Sequence, residues 1–212
     1  MGCINANNRD VFYSQEKNAI ETYNRYEKAH DGLDHYTETC GPTSWWNGFN
    51  AMGVTLNSRI RIADEVFCWM NEPQNFTKFP AWTNENGDQV NPGDVPSNQV
   101  QAWIPIAGKI LYGADSIYHE GVSFDDIVAM LNQGHAVQLA RRIGHFICAV
   151  DYDQANDSLI YWDSFHLLVV QNADGTESFV DDGTNGFRRS VKRADFQTFC
   201  YSRVVEMIGV SA

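Results

Sequence analysis

The sequence predicts an α+β fold, in which helices come first along the chain and an antiparallel β-sheet follows. Up to about residue 132, apolar residues recur at helical spacing, whereas later they form short runs separated by turns rich in Asn, Asp and Gly. Because these turns are short, the strands that they join run antiparallel. With 212 residues, the chain is long enough for one sizeable core. We expect one domain over 1–212, with a helical half of about 1–132 and a β half of about 133–212.

The helical half is predicted to contain four helices, and residues typical of helix ends mark the start or the end of some of them. They span residues 14–30, 42–53, 58–71 and 123–132. Pro42 suits a first helical turn, where a backbone N–H would have no partner, and Gly53 suits a helix end. Ser123 is a typical N-cap residue, since its hydroxyl accepts a hydrogen bond from the first turn.

A proline-rich segment, residues 72–99, interrupts this pattern. Four of the six prolines fall here, with Asn, Gly and single aromatic residues between them. A connection of this length without regular structure is usually functional or mobile. We therefore expect an irregular loop between the two halves of the fold, lying over the cleft that they form.

The β half is predicted to contain seven strands. They span residues 136–141, 145–151, 158–163, 165–171, 177–181, 187–191 and 199–206. If the second and third strands pair around a turn near residue 154 or 155, Val150 faces Leu159 and His145 faces residue 163 or 164. Directly opposed residues lie about 4.5–5.5 Å apart, so this register brings Asp163 beside His145.

The composition argues against several classes of partner. A formal net charge of −12 repels the phosphates of nucleic acids and the headgroups of anionic lipids. No stretch approaches the roughly 18 apolar residues of a membrane span, and the first ten residues resemble no signal peptide. We expect no nucleic-acid or membrane partner, and a cytoplasmic location, or a secreted one if an export signal has been removed.

The cysteines and histidines show no pattern of a metal or disulfide site. The five cysteines include no CxxC pair, and the six histidines include no HExxH motif. Cys68 and Cys148 lie in apolar runs and are expected in the core. We therefore expect neither a metal nor another cofactor, and a metal-dependent hydrolase is the least favoured class of enzyme.

Cys40 is a candidate nucleophile because of its position. It precedes Gly41 and Pro42, and so lies at the N-terminus of the predicted helix 42–53. Unpaired backbone N–H groups and the helix dipole favour an anion there, and cysteines in such positions have lowered pKa values. Since the thiolate is the nucleophilic form, Cys40 suits nucleophilic catalysis, although a cysteine that only caps a buried helix would have the same neighbours.

His145 is the candidate base, and Asp163 is its candidate orienting partner. His145 follows Gly144 and opens an apolar strand, which anchors its backbone and leaves its ring at the edge of a cleft. The other five histidines lie in loops, at a helix end or within a strand run. An acid that orients the base of a thiol nucleophile completes a Cys-His-Asp catalytic triad.

Two parts of the chain, about 40–55 and 123–165, resemble the peptidase C39-like family, which is part of the papain-like cysteine peptidases. The matching stretches are residues 39–44, 134–137, 144–146, 150–153 and 160–163. The first of them, Thr-Cys-Gly-Pro-Thr-Ser, resembles the nucleophile motif of the family. The last resembles the strand that carries the Asp of the family.

The resemblance implies a papain-like fold, with a helical lobe that carries the nucleophile helix and a lobe built from antiparallel sheet. It also implies a cysteine peptidase that cleaves a peptide or protein substrate through a thioester acyl-enzyme. Cys40 would attack the substrate, His145 would move the proton and Asp163 would orient His145. The aromatic residues Tyr36 and Trp82, in predicted loops, are candidate substrate-binding residues.

One position departs from the family. Six residues before the cysteine, the family has a Gln whose amide donates to the oxyanion hole, and this chain has Asp34. An ionised carboxylate cannot donate a hydrogen bond, and losing one such donor costs ~2.7–4 kcal/mol of transition-state stabilisation. Either Asp34 is protonated, or a neighbour such as His35, Thr37 or Thr39 donates instead, or the activity is weak or absent.

Other functions remain open at this point. An amidase or transpeptidase acting on bacterial cell-wall peptides, or a transglutaminase-like acyl transferase, would use the same triad. A catalytically inactive binding module would keep the fold and use its cleft for recognition.

Overall fold

A computed structural model describes residues 2–18, 39–58, 61–84, 86–172 and 174–211. The helix predicted over residues 14–30 lies mostly outside these ranges. Its described part forms only a short 3-10 turn, Gln15–Lys17.

Five α-helices are found in the described ranges. They are α1 (Cys40–Met52), α2 (Ile62–Asn71), α3 (Ile104–Tyr112), α4 (Phe124–Asn132) and α5 (Phe196–Phe199). Helix α1 ends as predicted at Gly53, which has a positive φ of 76°. Ser123 caps α4, and its hydroxyl accepts the backbone N–H of Asp126. The sequence analysis overlooked α3, although Pro105 in its first turn and Gly113 after its last residue mark both ends.

In the part of the chain that the structure describes, ten strands form one large sheet and two hairpins. They are β1 (Trp82–Thr83), β2 (Gln89–Val90), β3 (Ala114–Glu120), β4 (Ala136–Arg141), β5 (His145–Asp153), β6 (Ser158–Trp162), β7 (Leu168–Gln171), β8 (Glu177–Val180), β9 (Arg189–Lys192) and β10 (Cys200–Val210). The large sheet is antiparallel, in the order β3-β10-β4-β5-β6-β9, and β1–β2 and β7–β8 are the hairpins. The seven predicted strands are all present, with bounds shifted by a few residues.

Strand β3 was not predicted, and it brings the first part of the chain into the sheet. It lies at the edge of the sheet, where most of its residues are only half-buried. A half-exposed edge strand needs no apolar run, so its sequence carries no clear strand pattern. The separation into a helical half and a β half is therefore less sharp than expected.

The segment 72–99 is more regular than predicted. It contains 3-10 turns at Pro73–Lys78 and Ser97–Gln99, with the β1–β2 hairpin between them. Its last part packs closely on α1, since a Cβ added to Gly41 would lie 2.7 Å from the carbonyl oxygen of Asn98. This segment therefore reaches the residue that follows Cys40.

The predicted register between β5 and β6 is wrong by two residues. Leu159 faces Tyr152, not Val150, because the turn between the strands is centred one residue later than predicted. A β-bulge between Ala149 and Asp151 then reduces the error to one residue, so that Cys148 faces Trp162. A bulge adds one residue to one strand and shifts all pairs beyond it. Asp163 follows the last residue of β6 and still reaches His145.

Two hydrophobic clusters cover the two faces of the sheet. On one face, α1 packs against β4 and β5, and its Trp45 and Phe49 are fully buried. On the other face lie α4 and α5, with Ile127 and Phe196 in the core. None of the described helices combines the length and the apolar character of a membrane span.

Candidate active site

Cys40 is the first residue of α1 and is 8% exposed. Its neighbours in the core are Ala140 and Phe146, and Tyr201 packs against the same cluster. The nucleophile candidate therefore lies where the helix N-terminus meets the sheet, with a small part of its surface open.

Buried polar side chains fix the first turn of α1. Asn18 donates from Nδ2 to the hydroxyl oxygens of Thr39 (2.6 Å) and Thr43 (3.2 Å). On the sheet side, Gln138 donates from Nε2 to the carbonyl oxygen of Gly41 (2.7 Å) and to Ser44 Oγ (2.8 Å). The sequence analysis missed Gln138, although a glutamine within a strand of apolar residues is a signal of such a role.

His145 opens β5, and its ring contacts both other members of the predicted triad. Its Nε2 lies 2.6 Å from Asp163 Oδ1, and the Cys40 side chain lies close enough to the ring to raise its pKa. Since Nε2 faces Asp163, Nδ1 is the nitrogen that faces Cys40. Burial alone would lower the pKa of His145, but the attraction of Asp163 and Cys40 raises it to about 10. The ring is therefore an imidazolium at neutral pH.

Asp163 is completely buried and accepts hydrogen bonds on both carboxylate oxygens. Besides His145, Oδ1 accepts the backbone N–H of Phe165 (3.0 Å), and Oδ2 accepts Nη1 of Arg189 (2.8 Å). Burial opposes ionisation, but His145 and Arg189 outweigh it and lower the pKa of Asp163. The carboxylate thus stays ionised between two cations.

Arg189, on β9, is itself held in place by several acceptors. Its guanidinium pairs with Asp182 at 2.8 and 3.1 Å. It also donates to the carbonyl oxygens of Phe165, His166 and Leu167. Sequence reasoning missed Arg189, because nothing in its local pattern distinguishes it from an exposed arginine on a strand.

The structure brings Cys40, His145 and Asp163 into contact. Asp34 and Tyr36, predicted for the oxyanion hole and for substrate binding, lie outside the described residues, as do His35 and Thr37.

Trp82 is described, and it lies on the β1–β2 hairpin, half-buried. It lines a groove of about 280 Å³ together with Tyr201, which packs beside Cys40. The guanidinium of Arg203 lies between the two rings, 5.0 Å from Trp82 and 4.7 Å from Tyr201. The groove therefore extends from Trp82 towards the Cys40 cluster.

Three of the other cysteines have raised thiol pKa values. All five are free and buried. Burial raises the pKa of Cys3 and of Cys200 to about 12, and the pKa of Cys148 also lies well above its usual range. Within the described ranges, no cluster of three or more His, Cys, Asp or Glu side chains is arranged to hold a metal ion.

Comparison with known proteins identifies the family of the chain. The α+β architecture, with helices and a six-stranded antiparallel sheet, is compatible with a papain-like fold. No curated protein and no solved structure shows significant similarity to the chain. The model of the family described as "Peptidase_C39 like family" matches residues 12–184, which is most of the sequence. The chain therefore belongs to the peptidase C39-like family.

Proposed function

We propose that the protein is a cysteine peptidase that cleaves an amide bond of a peptide or protein with Cys40 as nucleophile. Family membership indicates a peptidase-like or hydrolase-like role in general. The observation that carries the finer proposal is the continuous contact from Cys40 through His145 to Asp163. An inactive binding module would not need this contact, which makes it the less favoured function.

In the proposed mechanism, His145 holds the proton of the Cys40 thiol, and the thiolate attacks the carbonyl carbon of the substrate. The His145 imidazolium then gives its proton to the leaving amine, and a thioester forms on Cys40. Water then attacks the thioester carbonyl while His145 takes one of its protons, and the C–S bond breaks. The carboxylic acid is released, and Cys40 leaves as the thiolate beside the His145 imidazolium. Asp163 keeps the imidazole oriented and stabilises its charge throughout.

The developing oxyanion needs hydrogen-bond donors close to Cys40. The backbone N–H of Cys40 is one such donor, because it lies at the N-terminus of α1, where N–H groups have no partner within the helix. We place the second donor in the stretch between Asp34 and Thr39, in line with the sequence analysis. In this proposal, the fold has papain-like lobes, and the cleft lies between α1 and the end of the sheet that carries His145.

Alkylation of Cys40 by iodoacetamide between pH 5 and 9, followed by peptide mass spectrometry, tests the proposal. We expect fast labelling of Cys40 that persists below pH 7 and disappears in His145→Ala, while the four other cysteines stay unlabelled in the native protein. A labelling rate that rises only near pH 8.5, the value of an ordinary thiol, would contradict a thiolate–imidazolium pair.

A second assay separates peptidases from the related acyl-transfer enzymes. The protein is given a denatured protein, a cell-wall stem peptide, and the same stem peptide with an added amine acceptor. Cleavage of the protein supports a peptidase. Turnover of the stem peptide alone points to a cell-wall amidase, and coupling to the amine points to a transferase.

A further inference from the structure

Asp163 is shared between two cations, and the second of them is not part of the predicted triad. Its Oδ1 lies 2.6 Å from His145 Nε2, and its Oδ2 accepts Nη1 of Arg189 (2.8 Å). The side chains of Asp163 and Arg189 are almost completely buried. Because water screens these charges little, Arg189 influences His145 across the carboxylate that lies between them.

The segment 186–189 fixes both the backbone and the side chain of Asp163. The backbone N–H of Asp163 donates to the carbonyl oxygen of Gly186 (2.8 Å). The two residues lie so close that a Cβ on Gly186 would clash with the carbonyl oxygen of Asp163. Three residues further on, Arg189 holds Oδ2. The carboxylate is therefore turned so that Oδ1 faces His145.

Arg189 is itself held at several points, so that it cannot easily turn away from Asp163. Its guanidinium pairs with Asp182 and donates to the carbonyl oxygens of residues 165–167. Burial opposes the charge of Arg189, but its hydrogen bonds to Asp182 and the attraction of Asp163 outweigh burial and raise its pKa. The guanidinium is therefore a fixed cation.

These side chains form a row of alternating charges, from Asp182 through Arg189 and Asp163 to His145. Since like charges disfavour each other, Arg189 opposes the positive charge on His145, and Asp182 partly offsets Arg189. Other titratable or charged side chains around the row are Cys40 on α1, Arg141 opposite His145, Tyr161 opposite Arg189, and His166 in the loop after Asp163. None of these four changes in the variants described below.

We propose that Arg189 is a positioning residue of the site, which holds Asp163 towards His145 and limits how tightly this carboxylate retains the proton of the histidine. The role rests on the proposed function, in which His145 has to give its proton to the leaving amine. An imidazolium beside an unshared carboxylate would hold its proton more tightly and would be a weaker acid. Arg189 acts in this role through Asp163.

An NMR titration of the His145 imidazole in the full-length protein tests the proposal without any substrate. In Asp182→Asn, Arg189 loses a carboxylate that offsets its charge, and we expect the titration midpoint of His145 to fall by about half a pH unit or more. In Arg189→Met, the opposing cation is gone, and the midpoint should rise by a similar amount. If the ion pair only stabilised the fold, breaking it from either side would not give opposite shifts.

Two further variants are controls. Asp125→Asn removes an aspartate that pairs with the surface residue Arg193, and should leave the midpoint of His145 unchanged. Arg189→Lys keeps the positive charge and should titrate closer to the wild type than Arg189→Met does. The ¹H–¹⁵N spectrum of each variant shows whether the fold is retained. If Arg189→Met does not fold, Asp182→Asn decides alone.

An unchanged or raised midpoint in folded Asp182→Asn would overturn the proposal, and so would an unchanged or lowered midpoint in folded Arg189→Met. Alkylation of Cys40 in the wild type distinguishes this failure from a failure of the proposed function. Fast labelling of Cys40 without the two shifts refutes only the role of Arg189. Slow labelling together with both shifts contradicts the peptidase, but still supports the action of Arg189 on His145.

Discussion

At the scale of single residues, the candidate site is organised around the carboxylate of Asp163. One oxygen accepts the His145 ring and the other accepts Arg189, so that a buried anion lies between two cations. Asp182 also pairs with Arg189, so that two carboxylates and two cations form one network. The orientation of His145 therefore depends on a network that extends well beyond the three residues of the predicted triad.

Asp163→Asn tests how far this carboxylate controls the charge of His145. Without the anion, burial dominates, and we expect the pKa of His145 to fall well below its value of about 10. Alkylation of Cys40 at pH 6 should slow accordingly. An NMR titration of the imidazole measures the pKa, and His119 and His135, which contact Glu206 instead, are internal references. An unchanged titration of His145 would show that Asp163 does not set its charge.

Arg189→Met removes one cation and leaves Asp163 and Asp182 without their shared partner. Breaking a buried ion pair from one side costs about 3–5 kcal/mol, and we expect a loss of this order in the free energy of unfolding. Urea denaturation measures it. Arg193→Met is the matched control, since its ion pairs are at the surface and should contribute much less. Similar losses in both variants would argue against the buried network.

At the scale of elements, the position of Cys40 depends on how tightly the first turn of α1 is packed. Gln138 of β4 holds this turn on one side, and the carbonyl of Asn98 lies against Gly41 on the other. The helix therefore has little room to shift relative to the sheet that carries His145.

Gly41→Ala tests this close approach. Alanine normally stabilises a helix by about 1 kcal/mol relative to glycine, but here its Cβ would lie 2.7 Å from a backbone oxygen. We expect a loss of about 1–3 kcal/mol in thermal or urea denaturation and slower alkylation of Cys40. Gly209→Ala is the control, because nothing lies within 4 Å of the added atom. A stabilised Gly41→Ala variant would contradict the packing.

The elements were predicted with uneven success, for physical reasons that differ between them. Helix α4 and the β4–β5 hairpin were predicted well, because the residues that mark them are neighbours in the sequence. A helix cap and apolar residues at helical spacing mark α4, and a short turn between two apolar runs marks the hairpin. The strand β3 was overlooked, because its pairing with β10 is a contact between segments about ninety residues apart. The register of β5 and β6 was predicted wrongly, since no local residue pattern fixes the centre of their turn or marks the bulge in β5.

At the scale of the whole molecule, His145 and Asp163 each contribute to the free energy of unfolding over a pH range that is set by their pKa values. His145 has a folded-state pKa of about 10, above its unfolded value of about 6.5. Its contribution is complete below pH 6.5 and is lost as the pH rises towards 10. Asp163 has a lowered pKa, so its contribution is present above about pH 4 and is lost on further acidification.

We therefore expect the difference in unfolding free energy between the wild type and His145→Ala to be largest near pH 6 and to shrink towards pH 10. Urea denaturation at pH 6, 8 and 10 measures it. The same series with Asp163→Asn should show a weaker dependence on pH, because the cause of the raised pKa is gone. A difference that is constant from pH 6 to 10 would contradict a charged His145.

The sequence by itself determined the features that depend on neighbours along the chain. These are the helix whose N-terminus lies at Cys40, the strand that begins at His145, and the hairpin that returns Asp163 to the histidine. Turn residues, helix caps and the spacing of apolar residues each depend on a few neighbouring positions, so they can be recognised in the amino-acid sequence. For this reason the three residues of the predicted triad could be named before their contacts were known.

Only the tertiary structure decided which distant side chains surround those three residues. Arg189 reaches Asp163 from β9, and Gln138 holds the first turn of α1. Each of these placements depends on which faces of the sheet, helices and hairpins meet. Such packing is settled by the summed burial of the whole chain, and a local pattern of residue types does not encode it.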